Sequence, residues 1–140
     1  MRVVITGGGG FLGHQLCEAL LRSGQLIGRD SQRVSIERIV LLDGVFSRPL
    51  PGSDPTVLPG GVPMEKIPVE TVVGSIESQE AIDHAIGLGA ASQGADVSIF
   101  HLASMVSGEC EERFDDAMSV NLQGGLRLLE AARRFGPGCR

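Results

Sequence analysis

Three glycines early in the chain, Gly7, Gly10 and Gly13, stand at the spacing G-x-x-G-x-x-G. Residues of that type at that spacing suit the cradling of a diphosphate. Gly7 permits a tight turn, Gly10 lets backbone approach a pyrophosphate, and Gly13 lets the next helix pack closely on the preceding strand. The helix opening there presents unpaired N–H groups and the positive end of its dipole to an anion. Further on, Asp43 ends an apolar run. A carboxylate at that point accepts hydrogen bonds from adenosine ribose hydroxyls and repels a 2′-phosphate. Such an acid usually falls about 20 residues beyond the glycines. Asp30 lies nearer to the glycines than that and Asp43 further out. Asp43 is preferred because strand position, not the count, sets where a carboxylate points. The plain alternatives are a glycine turn that only joins two elements and an acid that only caps a strand.

The elements that must position these residues follow from periodicity. Val3-Val4-Ile5 is long enough for a buried strand, and Phe11, Leu12, Leu16, Ala19 and Leu20 then repeat at helical spacing. A helix is predicted from Phe11 to Ser23, ended by Gly24. The polar stretch from Gln25 to Glu37 reads as an insertion before a second strand, Arg38 to Gly44. Five prolines and three glycines between Ser47 and Pro63 mark a loop, to which no structure is assigned. Val69 to Val73 is a third strand. Ser78 to Leu88 is a helix with Ser78 as N-cap and Ile82, Ala85 and Ile86 on its buried face. Gly87 to Ala95 is a small-residue linker, and Asp96 to Leu102 is a fourth strand. The apolar series Phe114, Ala117, Met118, Val120, Leu122, Leu126, Leu128, Leu129 and Ala132 predicts one long helix reaching Phe135 and stopped by Gly136-Pro137. Gly124-Gly125 inside it cost about 1 kcal/mol each against alanine, which points to a bend or a close contact there.

Bulk properties narrow the function classes. A chain of 140 residues is one domain, and 42% apolar with 21% charged residues is ordinary for a globular chain. A net charge of −5 argues against nucleic acid as a partner. Three cysteines without framework spacing favour a reducing compartment, and no metal-ligand spacing appears. His14 and His84 read as helix-surface residues, and His101 as a packed strand-end residue more than a base. The N-terminus is unlike a secretory signal and nothing approaches membrane-spanning length, so the chain reads as cytoplasmic.

Thr6, Gly7, Gly10 and Gly13, with Phe11-Leu12 as an apolar pair, resemble the T-G-x-x-G-x-x-G signature of the short-chain dehydrogenase/reductase superfamily, in its extended, epimerase/dehydratase-like branch. The resemblance implies an α/β Rossmann-type fold: a doubly wound parallel sheet, here its first four strands with flanking helices. Residues 1–140 would be the N-terminal portion of an NAD(P)-binding domain. NAD is implied over NADP because of Asp43. The family's G-D pair, whose aspartate meets the adenine amino group, stands here as Gly74-Ser75, so the carboxylate is missing and Ser75 remains as an uncharged partner. Ile76 would be an apolar wall against the ring. His101-Leu102-Ala103-Ser104 resembles the stretch whose backbone passes the nicotinamide ribose and pyrophosphate. Asn121 matches the N-x-x-G asparagine that helps to hold a water chain near the catalytic lysine.

A longer run from His101 through Val106, Ser107, Gly108, Glu109 and Phe114-Asp115 is similar to D-erythronate dehydrogenases, which oxidise four-carbon sugar acids at C2 with NAD. It implies that Ser107 hydrogen-bonds a substrate carboxylate or hydroxyl; a plain loop serine is the other reading. In the superfamily a serine and a Tyr-x-x-x-Lys pair do the proton chemistry. This sequence has no tyrosine, and its only lysine is Lys66. The expectation is therefore a cofactor-binding portion, inactive alone, that meets a sugar acid only in a complete chain. A sugar-nucleotide epimerase or dehydratase portion, and a non-catalytic NAD-binding module, are the alternatives. Ending after four strands would leave the fourth with an unpaired edge, so the free chain is expected either to be marginally stable or to self-associate through that edge as a homo-oligomer.

Overall fold

The computed structural model describes residues 1–28, 30–51, 67–89 and 96–140. In chain order the elements are β1 (Arg2–Thr6), α1 (Phe11–Ser23), β2 (Gln25–Ile27), β3 (Arg33–Ser35), β4 (Arg38–Asp43), β5 (Val69–Val73), α2 (Gln79–Ile86) and β6 (Val97–His101). There follow α3 (Ser107–Glu112), α4 (Phe114–Ala117), a π-helical segment (Met118–Gly124) and α5 (Gly125–Phe135). Strands β5, β4, β1 and β6 lie side by side in that order, all parallel. These are the first four strands of the doubly wound arrangement expected from the sequence.

The central strands are buried on both faces, so they read as unbroken apolar runs. Strand alternation then divides the core in two. Val3, Ile5, Ile39 and Leu41 face Cys17, Leu20 and Leu21 of α1. Val4, Val40 and Leu42 face Ile82, Ala85 and Ile86 of α2 and Leu128 and Ala131 of α5. Burial pushes the Cys17 thiol up to about 12, so it packs as a small apolar group. Gly24 ends α1 in the left-handed conformation at φ 66°, and Ser78 caps α2 by accepting the Ala81 N–H at 3.2 Å.

Several expectations are corrected. The polar stretch after α1 is a β-hairpin of its own, with Gln25 opposite Ser35 and Ile27 opposite Arg33. Its turn places Ser31 at φ 63°, and Asp30 accepts the Gln32 N–H at 3.1 Å. The long helix runs from Phe114 to Phe135 as expected, but it winds as a π turn over Met118–Gly124, and Arg113 separates it from the short α3 before it. The fourth strand's edge is partly covered: Val97 and Ile99 N–H groups donate to Gly138 and Arg140, and the Arg140 N–H donates back to Val97. Gly138 to Arg140 thus run parallel to β6 where a fifth strand belongs.

Helix α1 is also rotated from the expected face. Its buried residues are Gly13, His14, Cys17, Leu20 and Leu21, while Phe11 and Leu12 are 63% and 65% exposed. Gly13 must lie against the glycine turn, and that contact sets the helix rotation. His14 is consequently buried, not on the surface, whereas His84 is exposed. Most of the proline-rich loop (residues 52–66, with Lys66) and most of the small-residue linker (90–95) lie outside the described residues.

Candidate functional site

An open cleft of about 320 Å³ lies at the C-terminal ends of the four parallel strands. That is the crevice where open α/β sheets bind ligands. Its floor is the turn between β1 and α1, represented by Gly7 and Gly10. On one side stand Leu42, Asp43 and Gly44 after β4, then Gly74, Ser75 and Ile76 after β5. On the other stand Leu102, Ala103 and Ser104 after β6, with Val120 from the π turn also lining the cleft.

Each glycine of the turn meets a different constraint. Gly7 has φ 72°, and a Cβ there would lie 2.8 Å from the Ala103 nitrogen. A Cβ on Gly13 would overlap the Gly7 carbonyl and sit 2.7 Å from the Gly8 Cα. Gly10 differs: an added Cβ would meet only the Gly7 oxygen, at 3.3 Å, and otherwise open space. The room above Gly10 is thus available to a ligand. Helix α1 starts at this point with no side-chain cap and no acid in its first turn. Its leading N–H groups are left for an anion. Gly8 and Gly9, to which sequence reasoning gave no role, are equally constrained. A Cβ on Gly8 would press to 2.6 Å from that of Leu41, and one on Gly9 would strike the Val45 carbonyl. The signal was the unbroken run of four glycines.

Asp43 stands at the end of β4, half-buried, and accepts the Gly9 N–H at 2.9 Å and the Val45 N–H at 3.2 Å. Its carboxylate therefore links the glycine turn to the segment after β4 and borders the cleft. Asp30 is in the hairpin turn, away from it.

Thr6 is a site residue whose role the sequence did not disclose. Its side chain is fully buried, and Oγ1 accepts N–H groups from Leu102 and Ala103, both at 3.2 Å. With both lone pairs engaged, its O–H donates to His101 Nδ1 at 2.7 Å. This network assigns the neutral Nε2–H tautomer to His101, and burial holds the ring's pKa below its ordinary value. The residue as a whole is nevertheless exposed, so it is less packed than expected.

Ser75 is exposed at the cleft edge. Its Oγ accepts the Glu77 N–H at 3.1 Å and donates to the Glu77 carboxylate at 3.0 Å. Ile76 lines the cleft but is buried beneath the long helix: a Cβ on Gly124 would come within 2.8 Å of it. Gly124 thus provides the close contact expected at mid-helix. Asn121 does not line the cleft. It accepts the Met105 N–H at 2.8 Å and donates to the Met105 carbonyl at 3.1 Å, so it clamps the segment after β6. Ser107 opens α3, exposed, outside the cleft lining, as are Phe11 and Leu12. Among the described residues no cluster of three His, Cys, Asp or Glu could hold a metal, and no helix is long and apolar enough to cross a membrane.

Comparison with known proteins agrees with this geometry. A family model described as the NAD dependent epimerase/dehydratase family matches residues 3–139. D-erythronate dehydrogenase of Cupriavidus necator is 39% identical over 136 residues, covering 97% of this chain and 36% of that protein. The enzyme of the same name from Haemophilus influenzae is 30% identical over 141 residues, covering 100% and 36%. The chain therefore spans about a third of the length of these relatives. Among solved structures, UDP-glucose 4-epimerase of Thermus thermophilus, in complex with NAD, superposes with a TM-score of 0.61 at 28% identity, over 97% of this chain and 35% of that one. A match over nearly every residue, on a sheet with the strand order that the family's cofactor crevice requires, leaves one assignment: the chain belongs to the NAD-dependent epimerase/dehydratase family.

Proposed function

We propose that the cleft binds NAD and that this chain is the NAD-binding portion of a sugar-acid dehydrogenase similar to D-erythronate dehydrogenase, acting at C2. The observation that carries the cofactor reading is the uncapped start of α1 beside Gly10, the glycine of the turn whose missing side chain opens onto space. A diphosphate there would accept the leading N–H groups of α1. Asp43 would face the adenosine ribose and disfavour a 2′-phosphate, giving NAD over NADP. Leu102, Ala103 and Ser104 would pass the nicotinamide half, on a backbone positioned by Thr6 and Asn121.

NAD supplies the hydride acceptor. The proton leaving a sugar-acid hydroxyl needs a base, and tyrosine is absent from the 140 residues. On this reading the chain binds cofactor but does not turn over alone. The sugar-acid assignment rests on the 39% identity with the Cupriavidus enzyme. An epimerase of nucleotide sugars is the second reading, supported by the Thermus epimerase at 28% identity. Three cysteines without framework spacing fit a reducing cytoplasm.

Calorimetric titration of the chain with NAD and then NADP tests the proposal. The expected result is saturable one-to-one binding, weaker for NADP and abolished by Gly10→Val. Absence of NAD binding by a folded chain would refute it.

A further inference from the structure

Behind the wall of the cleft formed by Leu102, Ala103 and Ser104, one titratable side chain is tied to the backbone that lines it. His101 closes β6 and does not itself line the cleft. It reaches the wall through Thr6. The Thr6 Oγ1 lies 2.7 Å from His101 Nδ1 and 3.2 Å from each of the Leu102 and Ala103 nitrogens. A hydroxyl has one hydrogen and two lone pairs. The neutral ring, with its hydrogen on Nε2, suits that count: Thr6 donates to Nδ1 and accepts from both backbone N–H groups.

A proton added to the ring removes this arrangement. An imidazolium carries hydrogen on both nitrogens, so Nδ1 turns from acceptor to donor. Three N–H groups then point at an oxygen that bears its own hydrogen. Wherever that hydrogen turns, it faces another donor. The Leu102 N–H has a second acceptor in the Thr6 carbonyl at 3.1 Å, whereas the Ala103 N–H has none among the described residues. Whichever bond yields, the segment loses one of its two anchors on Oγ1.

The groups that face the ring from neighbouring elements are uncharged. From β1 it meets Thr6, and from the long helix Gly125, where an added Cβ would stand 3.7 Å from Nε2. Among the described residues no acid or base acts on it, and burial alone lowers its pKa. The residue is nevertheless exposed enough to exchange protons with solvent.

We propose that His101 is a positioning residue for the bound dinucleotide, acting through Thr6, and that protonation of its ring weakens cofactor binding. This rests on the reading above that the cleft holds NAD. The coupling is reciprocal: if a proton on His101 loosens Ala103, a cofactor that fixes Ala103 drives the proton off. Affinity is then constant while the ring is neutral and declines as pH falls below the ordinary histidine value of about 6.5. A diphosphate beside Gly10 would attract the imidazolium, but the ring is exposed and salt screens its charge.

Calorimetric titration of the whole chain with NAD tests this at about pH 7.5 and about pH 5.5, on either side of that value. Binding is expected to be about threefold weaker at the lower pH, part of the worth of one hydrogen bond. His101→Asn places an amide oxygen near the position of Nδ1 and cannot titrate, so its affinity should be the same at both pH values. The other two histidines remain in that variant, and melting curves confirm that it is folded. Histidine-ring NMR of the unaltered chain needs no substitution: one of the three rings should titrate at lower pH with NAD bound than without it. Equal affinity at the two pH values, tighter binding at the lower one, or no such ring overturns this inference and leaves the cofactor reading standing. A pH dependence that survives in His101→Asn overturns the role of His101. Absence of NAD binding by a folded chain at either pH overturns both readings.

Discussion

Thr6 offers the most direct check on how the cleft is held in shape. Thr6→Val keeps the side chain's size and removes only the hydroxyl. The Leu102 N–H retains a partner, because it also reaches the Thr6 carbonyl at 3.1 Å. The Ala103 N–H and His101 Nδ1 lose theirs. An unsatisfied group in such a setting costs about 1–3 kcal/mol. In a chain of this size about 2 kcal/mol lowers Tm by roughly 7 °C. Thr6→Ser is the counterpart: it keeps the hydroxyl and loses one buried methyl, a cost of about 1 kcal/mol. Urea denaturation of both variants, with the slopes compared, gives the ordering. Valine should be the more damaging. If Thr6→Val proves as stable as Thr6→Ser, the hydroxyl is not what joins the ends of β1 and β6, and the argument for Thr6 fails.

Two further outcomes follow from the same geometry. Gly13→Ala should destabilise the fold by about 1–3 kcal/mol, since its Cβ meets fixed backbone, whereas Gly10→Ala should melt like the parent yet bind NAD at least about tenfold more weakly; parallel melting and titration curves decide. His101 bears on pH. Its folded value lies below the ordinary one of about 6.5, so the unfolded chain takes up a proton first on acidification. Stability should therefore decline as pH falls below about 6.5, until the folded ring also protonates, and His101→Gln should flatten that part of the Tm–pH profile.

Much of the site was legible because glycine and an acid at a strand end have few other uses in a strand–turn–helix unit. The bounds of α1, its Gly24 cap and the Ser78 cap are local matters, and local residues settle them. That Asp43 and not Asp30 borders the cleft was likewise legible from strand position. Helix rotation was not. An apolar stripe through Phe11, Leu12 and Leu16 predicted one buried face, but Gly13 seated on the turn selects another, leaving Phe11 and Leu12 in solvent and His14 inside.

The sequence by itself determined the four strands of the main sheet and the place of the glycine turn, because buried runs and backbone conformation are encoded residue by residue; their parallel arrangement was implied by the family resemblance. The tertiary structure alone decided the partnerships. Thr6 meets Ala103 across 97 positions, Asn121 meets Met105 across 16, and Ser119 meets Glu77 across 42. Hydrogen bonds of that span depend on strand order and on the π turn of one helix, neither of which any local window of sequence contains. The pairing of Gly138 to Arg140 with β6 is of the same kind. An exposed strand edge takes whatever backbone the fold brings beside it, and only the assembled sheet shows which segment that is.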